Sequence, residues 1–175
     1  MRRRQALGGR RWMGPLAPVG NLGKIALSHP ESAMAQAYDP NNIFAKILRG
    51  EAPCVKVFED ETALAFMDIM PRGEGHVVVV PKIAARNILD IGPGDLARFM
   101  PAVQKVAMAA KQGLNAEGVK IEQYNESASG QTVFHLHFHI LPRWTGVELR
   151  PPGGPIVAAE ALRPVAEKIR AAIGA

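Results

Sequence analysis

The chain has 175 residues, 47% of them hydrophobic and 21% charged, which suits one soluble domain with a core large enough to fold alone. No apolar run approaches the roughly 18 residues that span a bilayer, and the single cysteine, Cys54, excludes an intrachain disulfide. The formal net charge of +5 belongs to residues 1–33, where Arg2, Arg3, Arg4, Arg10, Arg11 and Lys24 face Glu31 alone. The rest of the chain is neutral, unlike a surface that neutralises nucleic-acid phosphates.

Residues 1–38 sustain no helical or strand period and read as a disordered or misassigned extension. The segment is Arg-rich like an organelle transit peptide, but Gly8, Gly9, Gly14, Pro15, Pro18, Gly20 and Gly23 would spoil the amphipathic helix such peptides form. An upstream start with Met34 as the true initiator is the preferred reading, and the cytoplasm the expected location. Residues 39–150 form the expected domain, and 151–175 a C-terminal extension ending in a helix.

A short helix is predicted between Asn42, which can cap it, and Gly50, which can end it. Residues 55–59 and 63–68 alternate around the polar Asp60-Glu61-Thr62 and predict an antiparallel hairpin. A Pro- and Gly-containing loop over 69–75 leads to a strand at 76–80, apolar on both faces from Val77 onward. Residues 95–113 carry apolar side chains at spacings of three and four, an amphipathic helix that Pro101 should kink or delay. A strand at 118–124, a turn-rich loop at 125–130, an irregular stretch at 144–155 and a helix at 158–173 complete the chain. The order reads as α+β: a mostly antiparallel sheet of about five strands, one long helix packed on it, and short N-terminal and C-terminal helices.

The remaining stretch, 134–141, reads Phe-His-Leu-His-Phe-His-Ile-Leu. Strict alternation predicts a strand with His135, His137 and His139 on one face and Phe134, Leu136, Phe138 and Ile140 on the other. Neighbouring imidazoles should then lie roughly 6.5 to 7 Å apart, from about 3.3 Å of rise per residue. Three imidazoles in a row can do nucleophilic, acid-base or metal chemistry near neutral pH. Zinc is the competitor, since imidazoles at i and i+2 can both ligate it. However, no second cluster of Cys, Asp or Glu stands at ligand spacing, and roughly 13 Å from first to third is too far for one ion unless the strand bends strongly, although two of the three could still chelate. The polar loop before the strand, with Asn125, Ser127, Ser129, Gln131 and Thr132, offers donors for a phosphate. His76 would add a fourth imidazole if its strand neighbours this one.

His135-Leu-His137-Phe-His139-Ile140-Leu141 resembles the His-x-His-x-His signature of the histidine triad (HIT) superfamily. Further likeness lies in Ile43-Phe-Ala-Lys-Ile-Leu-Arg-Gly-Glu51-Ala-Pro53, Ala65-Phe-Met-Asp68-Ile, Gly75-His-Val-Val-Val-Val-Pro-Lys82 and residues 125–131, pointing to the nucleotide-binding Hint-type branch. The resemblance implies a nucleotidyl hydrolase or transferase in which His137 attacks the α-phosphorus of a nucleotide. A neutral imidazole, with a pKa near 6.5, suits that role at pH 7. It further implies that His139 assists the leaving group and that His135 supports the site. His76, Asn125, Gln131 and Thr132 would complete the phosphate pocket, and Asp68 would hold the ribose. Ile43, Phe44, Ile47, Phe66 and Ile69 match the apolar base pocket, although each reads equally well as core.

Two departures bear on this. Many bacterial relatives bind zinc through a Cys-x-x-Cys whose positions here hold Asn42 and Ala45, so neither metal nor other cofactor is expected. After the triad, Leu141-Pro-Arg-Trp144 is closer to general bacterial and diadenosine-polyphosphate-cleaving members than to animal Hint proteins. The implied substrates are purine nucleoside 5′-phosphoramidates or related monophosphate derivatives. Dinucleoside polyphosphates, a regulatory nucleotide-binding role and a metal-dependent hydrolase are the alternatives. A homodimer is expected, with the helix at 95–113 able to build a two-fold interface, and neither nucleic acid nor membrane is an expected partner.

Overall fold

The computed structural model describes residues 37–174; the expectations for residues 1–36 lie outside them. The elements follow in the order α1 (Ile43–Leu48), β1 (Lys56–Glu59), β2 (Ala63–Met67), β3 (Val77–Pro81), α2 (Pro93–Gly113), β4 (Gly118–Glu122), β5 (Phe138–Arg143) and α3 (Ala159–Ile173), with a 3₁₀ turn at Ser127–Ser129 before β5. The strands form one antiparallel sheet in the order β1-β2-β3-β5-β4, so the expected α+β architecture is observed.

Local chemistry explains the boundaries. Asn42 Oδ1 accepts the Ala45 N–H at 2.9 Å and starts α1, satisfying one of the donors that a helix N-terminus leaves over. Between β1 and β2, Asp60 Oδ1 accepts from the amides of Thr62 and Ala63 at 2.7 and 2.8 Å, an Asx turn that closes the hairpin. The long helix departs from expectation. It begins earlier, at Pro93, where a proline at the first turn loses no helical bond, and it runs through Pro101 to Gly113. Pro101 and Ala97 are exposed, so the carbonyl that the proline leaves without a donor lies on the solvent side.

β3 explains why its sequence is apolar on both faces. Val77 and Val79 join the main core with Phe99, Val103 and Val106 of α2 and with Leu136, Phe138 and Ile140. Val78 and Val80 join Leu64 and Phe66 in a second cluster, under Phe44, Ile47 and Leu48 of α1. Each fully buried side chain of this kind contributes roughly 1.5 to 3 kcal/mol.

The apolar face of α2 is used inside the subunit: Phe99, Ala102, Val103, Val106, Ala107, Ala109 and Ala110 are buried. That face is therefore not free to build the expected two-fold interface. α3 packs Leu162, Ala166 and Ile169 into the same core, so the C-terminal extension is part of one packed body with the sheet. Gly113 marks the closest approach of the two helices, where a Cβ would lie 2.5 Å from the Lys168 carbonyl oxygen. Among the described residues, no helix is long and apolar enough to cross a membrane.

Candidate active site

The histidine stretch is half strand and half anchored segment. β5 begins only at Phe138, where Phe138, His139 and Ile140 oppose Val79, Val78 and Val77 of β3. Residues 134–137 keep the alternation without a ladder: Leu136 lies in the core, and Leu136 N–H donates to the Ala85 carbonyl at 2.8 Å. Phe134, expected to face the core, lies instead under the Arg86 guanidinium, 3.9 Å from its ring centroid. The imidazoles turn toward each other more than an ideal strand allows, with the His137 and His139 ring centroids 4.9 Å apart.

Backbone groups of fixed polarity assign the tautomers. His137 Nδ1 is 2.6 Å from the His135 carbonyl, which can only accept. Nδ1 therefore carries the proton, and the lone pair of His137 is on Nε2. His135 Nε2 is 2.9 Å from the Pro81 carbonyl and must donate to it, and its Nδ1 is 2.6 Å from the Tyr38 hydroxyl. The third histidine is set from β3. The Arg72 amide donates to His76 Nδ1 at 3.2 Å, so His76 donates through Nε2 to His139 Nδ1 at 2.9 Å. His139, neutral and accepting at Nδ1, consequently carries its one ring proton on Nε2. Adjacent members of the row are thus held in opposite tautomers, one with an Nε2 lone pair and the next with an Nε2–H.

Burial keeps these rings neutral. His135, His137 and His139 are each pushed down to about 4, first by burial, which disfavours the imidazolium. The carbonyl partners of His135 and His137 oppose that effect, and neighbouring imidazoles reinforce it. His76, 1% exposed, is lowered by the same cause. Asp68 Oδ2 stands 3.4 Å from His76 Nδ1 and 4.0 Å from His139 Nδ1, while its Oδ1 accepts the Met70 amide.

The sequence reading missed several neighbours. Glu122 lies opposite His139 in the β4–β5 register and takes hydrogen bonds from Arg72 and Tyr124. Burial alone would raise the Glu122 carboxyl, but Lys120, Tyr124 and the Arg72 charge outweigh it and hold the group at about 2. The Tyr124 ring meets His139 edge-on at 5.9 Å. No local pattern announces the Arg72–Glu122 pair, because the two lie fifty residues apart and meet only in the folded sheet.

Asn125 and Gln131, expected among the phosphate donors, use their amides within the loop. Gln131 Oε1 accepts from Glu126 N–H, and its Nε2 donates to the Arg86 and Val133 carbonyls. Asn125 exchanges hydrogen bonds with the Gln123 amide and accepts the Ile88 N–H. Thr132 is exposed. Of the apolar set, Phe66 and Ile47 pack in the second cluster, and Phe44 meets His137 edge-on at 5.1 Å. Ile43 and Ile69 are about half exposed, at 47% and 46%, and retain free apolar surface.

A family model described as the HIT domain matches residues 49–146. The chain belongs to the HIT family. Its relatives include Protein hit of Bacillus subtilis, 38% identical over 59% of this chain and 72% of that protein, and the adenosine 5'-monophosphoramidase hnt1 of Schizosaccharomyces pombe, 39% identical over 58% and 73%. Among solved structures, a Hit-like protein involved in cell-cycle regulation from Bartonella henselae is 52% identical, with a TM-score of 0.75 over 78% of this chain and 99% of its own. HIT proteins are nucleotide hydrolases, and this chain shares that general activity.

In this HIT protein one group among the described residues has metal-ligand spacing: Asp68, His76 and His139, with one ligand atom from each within 4.8 Å of the others. The sequence reading named no metal ligands, because these three residues come from separate segments. The donor set fits poorly. An ion would have to displace the proton shared by His76 and His139 and sit beside the Arg72 charge, which already disfavours positive charge on both rings.

Proposed function

We propose that the protein cleaves purine nucleoside 5′-phosphoramidates or related nucleoside monophosphate derivatives through a covalent nucleotidyl-His137. The observation that carries this reading is the hydrogen bond from His137 Nδ1–H to the His135 carbonyl, which directs the lone pair of a neutral imidazole through Nε2. In the first step Nε2 bonds to the α-phosphorus and the phosphorus–nitrogen bond breaks. The electron pair departs with the amine, which takes up a proton from solvent, while the neutral His139 offers Nε2–H as a hydrogen-bond donor. Water then attacks the phosphorus and gives up a proton to solvent, the phosphorus–Nε2 bond breaks with its electron pair returning to His137, and the nucleoside monophosphate is released. Dividing the transfer in two lowers each barrier, and His139, whose ring lies 4.9 Å from that of His137, can offer its Nε2–H to the developing charge. The exposed faces of Ile43 and Ile69 suit a purine, and Asp68 suits ribose hydroxyls. The activity named for the fission-yeast relative favours the phosphoramidate over dinucleoside polyphosphates.

The same protein is proposed to work as a homodimer. With the α2 face occupied, the surface offered for it is the outer edge of β4, where Ile121 is 48% exposed and, among the described residues, no further strand follows.

Brief mixing with an AMP phosphoramidate followed by intact-mass measurement tests the intermediate. An adduct of one nucleoside monophosphate that disappears in His137→Ala, with turnover lost and insensitive to chelator, is the expected result. Undiminished turnover in His137→Ala would falsify the assignment. Faster cleavage of diadenosine polyphosphate than of phosphoramidate would overturn the substrate class.

A further inference from the structure

We propose that Tyr38 is a positioning residue of the triad, locking the His135 ring and thereby the carbonyl that orients His137. It precedes the residues matched by the family model, 49–146, and is the last residue of the segment that the sequence marks as a disordered or misassigned extension. This inference rests on the reading of His137 as the nucleophile.

The geometry is specific. His135 is fully buried, and its Nε2–H is committed to the Pro81 carbonyl. Nδ1 is therefore an acceptor, and the Tyr38 hydroxyl donates to it at 2.6 Å, with the two rings edge-to-face at 5.6 Å. With both nitrogens held, the fully buried ring cannot flip without losing two hydrogen bonds that water does not replace there. The peptide that follows is fixed from the other side, because the Leu136 N–H donates to the Ala85 carbonyl. Between these two anchors lies the His135 carbonyl, the acceptor for His137 Nδ1–H. Tyr38 thus acts on the reacting ring through His135 and does not touch it.

The sequence around Tyr38 aims it. Asp39 Oδ1 accepts the Asn41 N–H, and Asn42 donates to the Asp39 carbonyl through its side-chain amide at 2.6 Å while capping α1. Arg49 Nη1 donates to the Pro40 carbonyl at 2.8 Å and ties this turn to the end of the helix. Among the described residues, His135 bonds Tyr38 and the Pro81 carbonyl, its ring meets Phe44 edge-on, and the titratable groups facing it are His137 and the tyrosine.

The test is Tyr38→Phe in the full chain, beside a truncation lacking residues 1–36 that keeps the tyrosine. The phenylalanine preserves ring and packing and removes only the donor. Turnover of an AMP phosphoramidate should fall about tenfold in kcat with KM within about twofold, as expected for a displaced reacting group. In ¹⁵N spectra the His135 Nδ1 resonance should move toward that of an unbonded imine-type nitrogen. The truncated protein should match the full chain in both measurements. An unchanged Nδ1 resonance, or kcat equal to that of the parent, overturns the proposal. Because the ¹⁵N measurement needs no substrate, a parent protein that turns over no phosphoramidate while the resonance still shifts would count against the functional reading and leave the positioning role standing.

Discussion

His76 Nε2 lies 2.9 Å from His139 Nδ1, so a side chain at the start of β3 sets the proton position of a side chain on β5. Because the Arg72 amide holds the far nitrogen of His76, the polarity of this pair is decided by a backbone group outside the triad. His76→Ala should release His139 to either tautomer and lower kcat about 10- to 100-fold, less than the loss of the acid-base group itself would cost. KM should change much less. His76→Gln, which can present an amide N–H, should recover part of the loss; steady-state kinetics on the three proteins decides the matter.

Acid should act on stability before it acts on the nucleophile. His135, His137 and His139 titrate near 4 in the folded protein, and His76 is also lowered, against about 6.5 in the unfolded chain. Below pH 6.5 the unfolded chain takes up protons first, so stability present above that pH is lost as pH falls through about 4. The loss should be on the order of a few kcal/mol. Thermal melts should show a plateau above pH 7 and a decline from 6.5 downward. Over the same range kcat/KM should stay level to about pH 5, where an ordinary imidazole would already be half protonated near 6.5. An inflection at 6.5 in kcat/KM would mean that the nucleophile is not shielded as described.

Gln131→Ala should destabilise the protein by about 2 to 4 kcal/mol, because the Glu126 N–H and the Arg86 and Val133 carbonyls all lose their partner. Denaturant midpoints measure this. Thr132→Ala, at an exposed position, should leave the midpoint within about 0.5 kcal/mol of the parent. If the two variants were equally stable, the amide would not be the organiser of the loop.

Gly113→Ala tests the seam between α2 and α3. A Cβ there meets the Lys168 backbone at 2.5 Å, so α3 must shift, at a cost of about 1 to 3 kcal/mol. The urea midpoint should fall with the slope unchanged. Folded protein should keep its kcat, since α3 packs on the face of the sheet that carries Leu136 and Ile140, away from the imidazoles.

The sequence was legible where one side chain's fate follows from its neighbours. Alternation placed Leu136, Phe138 and Ile140 in the core and set the histidines opposite, and the doubly apolar run at Val77 announced the central strand. It misled at Phe134, because Arg86 provides a cation for that ring, and at the start of α2, where Pro93 favours the first turn. What could not be read were the partners that fix protons: the Arg72 amide, the Pro81 carbonyl and the Tyr38 hydroxyl reach the histidines only after the sheet has closed. For the same reason, the sequence showed the donors of an amide-rich loop but not the bonds by which Asn125 and Gln131 hold that loop to residues 86–88.

Both outer imidazoles are tethered to opposite ends of β3: His139 to His76 just before Val77, and His135 to the carbonyl of Pro81. The central strand is a caliper whose jaws grip the row at its two extremities. Its length is therefore a catalytic dimension as well as a structural one. A single residue inserted within Val77–Pro81 would turn the side chains beyond it to the opposite face, and whichever end kept its hold on the row, the other would let go.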